Sequence, residues 1–231
     1  MRLCLVPLLA ALAAPVPATA QETPARRAEL SGRLFELALQ ERDPLLAIAA
    51  ARVRGDLFGE RIDRTPAGDA PMAMAAPRAE RGAADSAAPP AASEPVAPAG
   101  PVSAEDMLDT ALALAPGDPL IEGLVEDQRA QRSKGVVSGQ VYSIAEIGAG
   151  AEDTYTPLEY EGDSYAEVYV EGQGGTDLNV MVYDSAGRLV CTDTDVSAIA
   201  YCGWRPVSKE AFSVVILNRG ATRSAYTLIT N

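Results

Sequence analysis

The sequence predicts a multidomain chain of mixed α and β class: helical hairpins in its N-terminal half, an Ala/Pro-rich linker between them, and an antiparallel β-sandwich at its C-terminal end. Three observations carry this. Leucine and alanine recur at helical spacing as far as residue 134. The stretch 65–102 holds no aromatic residue and few large apolar side chains. All eight tyrosines and the single tryptophan lie beyond residue 139, in runs of alternating character.

Residues 1–20 read as a secretory signal peptide. Arg2 supplies a positive charge, Leu3 to Val16 is an apolar run, and Ala18-Thr19-Ala20 offers the small-x-small site that places cleavage after Ala20. The run is short for a retained membrane span, which needs roughly 20 apolar residues. The expected product is periplasmic or secreted, with no membrane insertion once the signal is removed. Cleavage also removes Cys4 and leaves Cys191 and Cys202 as the two cysteines. In an oxidising compartment a disulfide between them is the expectation, and closing a loop of that size stabilises by roughly 3 kcal/mol.

Residues 21–64 read as a helical hairpin. Leu30, Leu34 and Leu37 fall at i, i+4 and i+7, and Leu46, Ala49 or Ala50, and Val53 continue the rhythm. Asp43-Pro44 interrupts it, because a residue before proline resists the helical conformation while proline suits a helix's first turn. One helix should therefore end near Gln40 and the next begin at Asp43. Residues 65–102 lack the apolar side chains that would offset the entropy of ordering, and read as a disordered linker.

A second hairpin is expected over residues 103–134, opened by Ser103 as a cap with Glu105 and Asp106 in the first turn. Here the chain echoes itself: Leu37-Ala38-Leu39 and Asp43-Pro44-Leu45-Leu46 recur 75 positions later as Leu112-Ala113-Leu114 and Asp118-Pro119-Leu120-Ile121. A lone hairpin cannot bury its apolar stripe, so the two are expected to pack together. This echo weakly resembles tetratricopeptide-type repeats, although their characteristic Trp and Tyr positions are missing, and generic packing of alanine-rich helices gives the same pattern.

From residue 139 to 231 the period changes to two. Ala166, Val168 and Val170 share one face of a run, as do Leu178, Val180 and Val182, then Val214 and Ile216, then Tyr226 and Leu228. Turn signals such as Glu171-Gly172-Gln173-Gly174-Gly175 and Asp184-Ser185-Ala186-Gly187 separate the runs. About eight half-buried strands without intervening helices predict an antiparallel sandwich. Trp204, close to Cys202, has two readings: a core residue packing near the bridge, or a ligand-stacking platform.

The run Val168-Tyr169-Val170, Gly174-Gly175-Thr176-Asp177-Leu178-Asn179-Val180, Val182-Tyr183-Asp184, and the later Phe212-Ser213-Val214, Asn218 and Tyr226-Thr227-Leu228 resembles the bacterial pre-peptidase C-terminal domain. The resemblance covers residues 139–231. It implies a jelly-roll-like sandwich that accompanies exported proteins and is not itself catalytic, some relatives binding calcium or extracellular polymers. Asn179 stands where the family pattern often has a second acid after the one matching Asp177, which weakens a calcium site carried over from relatives.

The chain has no histidine and a formal charge of −13. Imidazole-based nucleophile systems and histidine zinc sites are excluded, and no basic footprint for nucleic acid is present. Between residues 135 and 187 there are ten acids and no lysine or arginine. Glu152, Asp153, Glu159, Glu161 and Asp163 could gather on loops as oxygen ligands for calcium, or form a solvated acidic face. A hydrolase would need two of these acids a few ångströms apart, which spacing does not establish. Ser208-Lys209 is no dyad, since neighbours on a strand point to opposite faces. No cofactor is expected apart from the calcium alternative. The expected function is that of an exported, non-catalytic binding or accessory protein whose helical region takes a protein partner. The alternative is a carbohydrate- or polymer-binding module in which Trp204 and exposed tyrosines stack on sugar rings.

Overall fold

The computed structural model describes residues 23–67, 100–132, 139–173 and 175–231. The expected signal segment with Ala20, and most of the linker expected over 65–102, lie outside the described residues.

Helix α1 (Pro24–Glu41) opens on Thr23, whose side-chain oxygen accepts the Arg26 N–H at 3.3 Å. Its end is fixed by Arg42, which at φ 54° adopts the left-handed conformation and turns the chain onto Asp43. The Asp43 carboxylate then accepts the N–H groups of Leu45 and Leu46 at 2.8 and 3.3 Å, starting α2 (Pro44–Arg54). Strand β1 (Phe58–Arg61) follows. In the second half of the helical region, Ser103 and Asp106 form a reciprocal capping box on α3 (Ala104–Leu114). Asp118 caps α4 (Pro119–Arg132) by accepting from Leu120 and Ile121 at 2.9 and 3.4 Å. The internal echo is therefore a repeated helix start: aspartate as the cap and proline as the first helical residue. The two hairpins share one apolar core, in which Ala47, Ala50, Met107, Leu108, Ile121 and Val125 are buried.

The buried face of α1 differs from the predicted one. Leu30 and Leu37 are 47% and 42% exposed, while Ala25, Ala28, Ser31, Gly32 and Ala38 are buried. The physical reason is a sheet beneath the helix. A Cβ on Gly32 would lie 2.5 Å from Ile199 Cδ1 and 3.1 Å from the Tyr169 hydroxyl, so only small residues let α1 approach this closely. In α2 the buried stripe runs through Ala47, Ala50, Ala51 and Arg54, leaving the expected Leu46 and Val53 half-buried.

The remaining strands are β2 (Gln140–Ile147), β3 (Glu152–Tyr160), β4 (Ala166–Gly172), β5 (Leu178–Tyr183), β6 (Leu189–Asp193), β7 (Ile199–Trp204), β8 (Glu210–Asn218) and β9 (Ser224–Thr230). They form two sheets, ordered β1-β2-β9-β4-β7 and β3-β8-β5-β6. Strand pairs from β2 onward are antiparallel, and β1 joins the edge in parallel with β2. Without β1 the order is that of a double-sheet jelly roll, four strands in each layer. The segment 21–64, read as purely helical, thus contributes a sheet strand as well. Beyond it, Arg64 donates to Thr230 Oγ1 at 2.8 Å and the Ala67 N–H to the Thr154 carbonyl at 2.8 Å, strapping this segment along the sandwich.

The layers enclose the predicted faces Val168/Val170, Leu178/Val180/Val182, Val214/Ile216 and Tyr226/Leu228. Cys191 of β6 and Cys202 of β7 are bonded, with Cα atoms 5.8 Å apart. Because β6 and β7 are edge strands of different sheets, the bridge clamps the two layers together. Asn218 ties the loops at the end of β8. Its side-chain N–H₂ donates to the carbonyls of Gly148 and Thr222 at 3.1 and 2.8 Å, and its Oδ1 accepts the Gly220 N–H at 2.9 Å. Replacing both cysteines by serine (C191S/C202S) should lower unfolding free energy by about 3 kcal/mol in denaturant titrations. An unchanged midpoint would mean that the bridge adds nothing to the clamp.

Candidate functional site

The outer face of the five-stranded sheet is the seat for the helices. Alternation along β4 turns Ala166, Val168 and Val170 into the sandwich core and Glu167, Tyr169 and Glu171 the other way. That second face would meet water in an open sandwich. Here every residue of β4 is buried, because α1 lies across it, which corrects the half-buried reading.

At the centre is an ion pair out of reach of solvent. Arg54, the last residue of α2, is 1% exposed, and its guanidinium donates to both Glu171 oxygens at 2.6 and 3.2 Å. Its Nε donates to Ser31 Oγ at 2.9 Å; Ser31 in turn donates to the Ala50 carbonyl at 2.8 Å. The Tyr169 hydroxyl completes the group by donating to Glu171 at 2.8 Å. Burial pulls the Arg54 guanidinium down, but the facing Glu171 carboxylate and Tyr169 more than offset this and hold it above its ordinary value.

Both ends of α1 are pinned as well. Near its start, Thr23 Oγ1 donates to Glu167 at 2.5 Å, the Tyr201 hydroxyl donates to the same carboxylate at 3.1 Å, and Arg26 stacks 4.1 Å above the Tyr201 ring. Further along, Arg33 reaches Asp193 at 3.3 Å, and Glu36 accepts from Ser197 Oγ at 3.0 Å and the Ala198 N–H at 3.1 Å. Helices and sandwich therefore meet through ion pairs at Asp193 and Glu171 and through neutral donors to Glu36 and Glu167.

With its seat fixed, the helical layer presents its other side outward. Every exposed leucine among the described residues except Leu189 lies there: Leu30, Leu37, Leu39, Leu45, Leu120 and Leu124. Leu30 and Leu37 form a stripe on α1 with the half-buried Leu34 between them. A separate groove of about 280 Å³ runs between α2 and α4, lined by Leu45, Ile48, Ala49 and Leu124, with Arg52, Asp127, Gln128 and Gln131.

Residues singled out in the sequence fall elsewhere. Trp204 is 7% exposed and packs edge-on against Tyr160 at 5.0 Å and tilted against Phe212 at 5.3 Å, so it is a core residue and no stacking platform. The five acids do not gather on loops. Glu152, Asp153 and Glu159 belong to strand β3, where Asp153 accepts from the Tyr226 hydroxyl at 2.7 Å. Glu159 and Glu161 face Lys209 at 3.6 and 2.9 Å, and the Asp163 carbonyl accepts from Arg205 at 2.6 Å. Among the described residues no group of three or more acids or cysteines is placed to hold a metal ion. Asp177 and Asn179 each keep one buried side-chain oxygen with no hydrogen-bond partner.

No family model matches the chain, and no curated protein sequence matches it. Among solved structures, it is similar to the pre-peptidase C-terminal domain of collagenase from Bacillus anthracis: 8% identity over 40% of this chain and 89% of that one, TM-score 0.35. The chain is also similar to PliG of Aeromonas hydrophila, a periplasmic inhibitor of g-type lysozyme (8% identity, 39% of this chain, 84% of that one, TM-score 0.29). A third likeness is to the C-terminal CBM6 of LamC from Zobellia galactanivorans (9% identity, 36% and 75%, TM-score 0.25).

Two expectations follow from the seat. Arg54→Ala should cost about 3–5 kcal/mol, because it leaves Glu171 buried and unpaired, whereas R54M/E171L should cost less than R54A alone; denaturant midpoints of both variants check this. The second concerns alkali. Burial pushes the Tyr155 and Tyr160 hydroxyls up to about 12 from an ordinary 10.0, and raises those of Tyr169, Tyr201 and Tyr226 as well. Above pH 10 the unfolded chain releases phenolic protons that the folded one keeps, so stability is full below pH 10 and falls as pH rises toward about 12. The phenolate absorbance contributed by these five tyrosines should rise together with loss of structure, not ahead of it.

Proposed function

We propose that this chain is an exported, non-catalytic binding or accessory protein whose sandwich holds a helical layer rigidly outward, and that this layer recognises a protein partner. The observation that carries the reading is the Leu30/Leu34/Leu37 stripe of α1. Its spacing is that of a helix face built to be covered, yet the sheet contact is made by the opposite, small-residue face, and Leu30 and Leu37 stay 47% and 42% exposed. The Arg33–Asp193 pair and the Ser31 contact to the buried Arg54 fix the rotation of the helix and keep these leucines from turning inward. The disulfide between Cys191 and Cys202 supports an oxidising compartment, and no described helix is long and apolar enough to cross a membrane.

The test is affinity capture from envelope and culture fractions with the full chain and with its L30E/L37E variant. Capture of one protein by the first and at least tenfold less by the second, at equal thermal stability, is the expected result. Retention of a polysaccharide by both proteins alike, with no protein captured, would overturn the reading in favour of a polymer-binding module.

A further inference from the structure

We propose that the groove between α2 and α4 is a self-recognition surface, occupied by the same groove of a second copy of this chain. It lies apart from the α1 stripe, on different residues, and so stands or falls independently.

The groove is its own complement. One wall is a single stripe of α2, with Leu45, Ile48 and Arg52 at i, i+3 and i+7; the other is a stripe of α4, with Leu124, Asp127 and Gln131 at i, i+3 and i+7. The α2 wall is apolar up to Arg52, the α4 wall carries Leu124 followed by polar side chains, and the two walls carry opposite charges. Neither Arg52 nor Asp127 takes part in an ion pair among the described residues, whereas Arg129, on the other side of α4, is engaged by Glu105 and Asp109 of α3. A two-fold axis running along the groove lays α2 of one copy over α4 of the other. Leu45 then meets Leu124 of the second copy, and Arg52 comes against its Asp127, twice by symmetry.

The side chains needed to fill the space are already outside it. Leu45 is 52% exposed, and Leu120, one turn before Leu124 on the same stripe, is 65% exposed. A groove of about 280 Å³ has room for such side chains from the opposite copy. A strongly charged peptide is a poorer occupant, since one cation and one anion on facing walls give it no net field to follow. The formal charge of −13 opposes association of two copies at low ionic strength, but such repulsion is screened beyond roughly 8 Å at physiological salt.

The experiment is sedimentation equilibrium of the full chain at physiological salt, for the unaltered protein, R52E, D127R and R52E/D127R. Arg52 and Asp127 are both exposed, so the variants should fold as the parent does, which circular dichroism confirms. The expected result is a dimer whose dissociation constant rises roughly tenfold or more in each single variant and returns toward the parent value in the double variant. A monomer at every concentration overturns the proposal. So does a dimer indifferent to these reversals. Neither result touches capture through Leu30 and Leu37.

Discussion

The structure depends on one buried pair of charges. Taking a guanidinium and a carboxylate out of water costs several kcal/mol per ion, and their attraction repays this only where geometry and remaining hydrogen bonds are good. Arg54 and Glu171 meet that condition because each has neighbours aimed at it: Ser31 receives the Arg54 Nε–H, and Tyr169 donates to Glu171. Those partners come from α1, from the end of α2 and from β4, so the pair is satisfied in one relative placement of hairpin and sheet. Sliding α1 by a turn would remove Ser31 and leave the buried Arg54 Nε–H without its acceptor. The pair contributes register more than net stability, and it makes the N-terminal hairpin and the C-terminal sandwich parts of one body.

Around that pair, small side chains set the distance. Ala25, Ala28 and Gly32 give α1 a nearly flat underside, and Ile199 and Tyr169 fill the space that a longer side chain would need. A helix seated on its small residues must point its large ones elsewhere. In this chain alanine richness is thus a requirement of close approach, with Leu30 and Leu37 turned away from the sheet as its consequence.

Local signals were legible in the sequence where local chemistry decides the outcome. Asp43-Pro44 and Asp118-Pro119 start helices because a carboxylate and a fixed φ act within one turn. The period of two in Val168/Val170 and Val180/Val182 reports the core face directly, and the two cysteines of the strand-rich region have one pairing. What stayed hidden was non-local. An arginine at a helix end ordinarily reads as a solvated charge suited to the dipole, and nothing near Arg54 in sequence announces a glutamate 117 positions away. The one available hint was Glu167 and Glu171 flanking Tyr169: two acids on the supposedly wet face of a strand, around an aromatic ring that water does not favour. Trp204 was ambiguous for the same reason, since stacking platform and core residue are both large and aromatic, and only its packing against Tyr160 and Phe212 separates them.

The asymmetry of the sandwich decides where recognition can occur. A jelly roll has two outer faces, and in this one the face of the β4 sheet is spent as a seat, with Glu167, Tyr169 and Glu171 consumed by Thr23, Arg54 and α1. A ligand competing for those groups would have to break buried charge pairs before gaining any contact of its own. Large apolar side chains on α1, α2 and α4 face water without such a cost. Under the proposed function, recognition is displaced one layer outward, onto the helices, while the disulfide and the aromatic core hold the platform still beneath them. In that reading the rigidity comes from the sandwich and the choice of partner from the helices, so that the proposed binding role asks neither an exposed tryptophan nor gathered acids of the sheet.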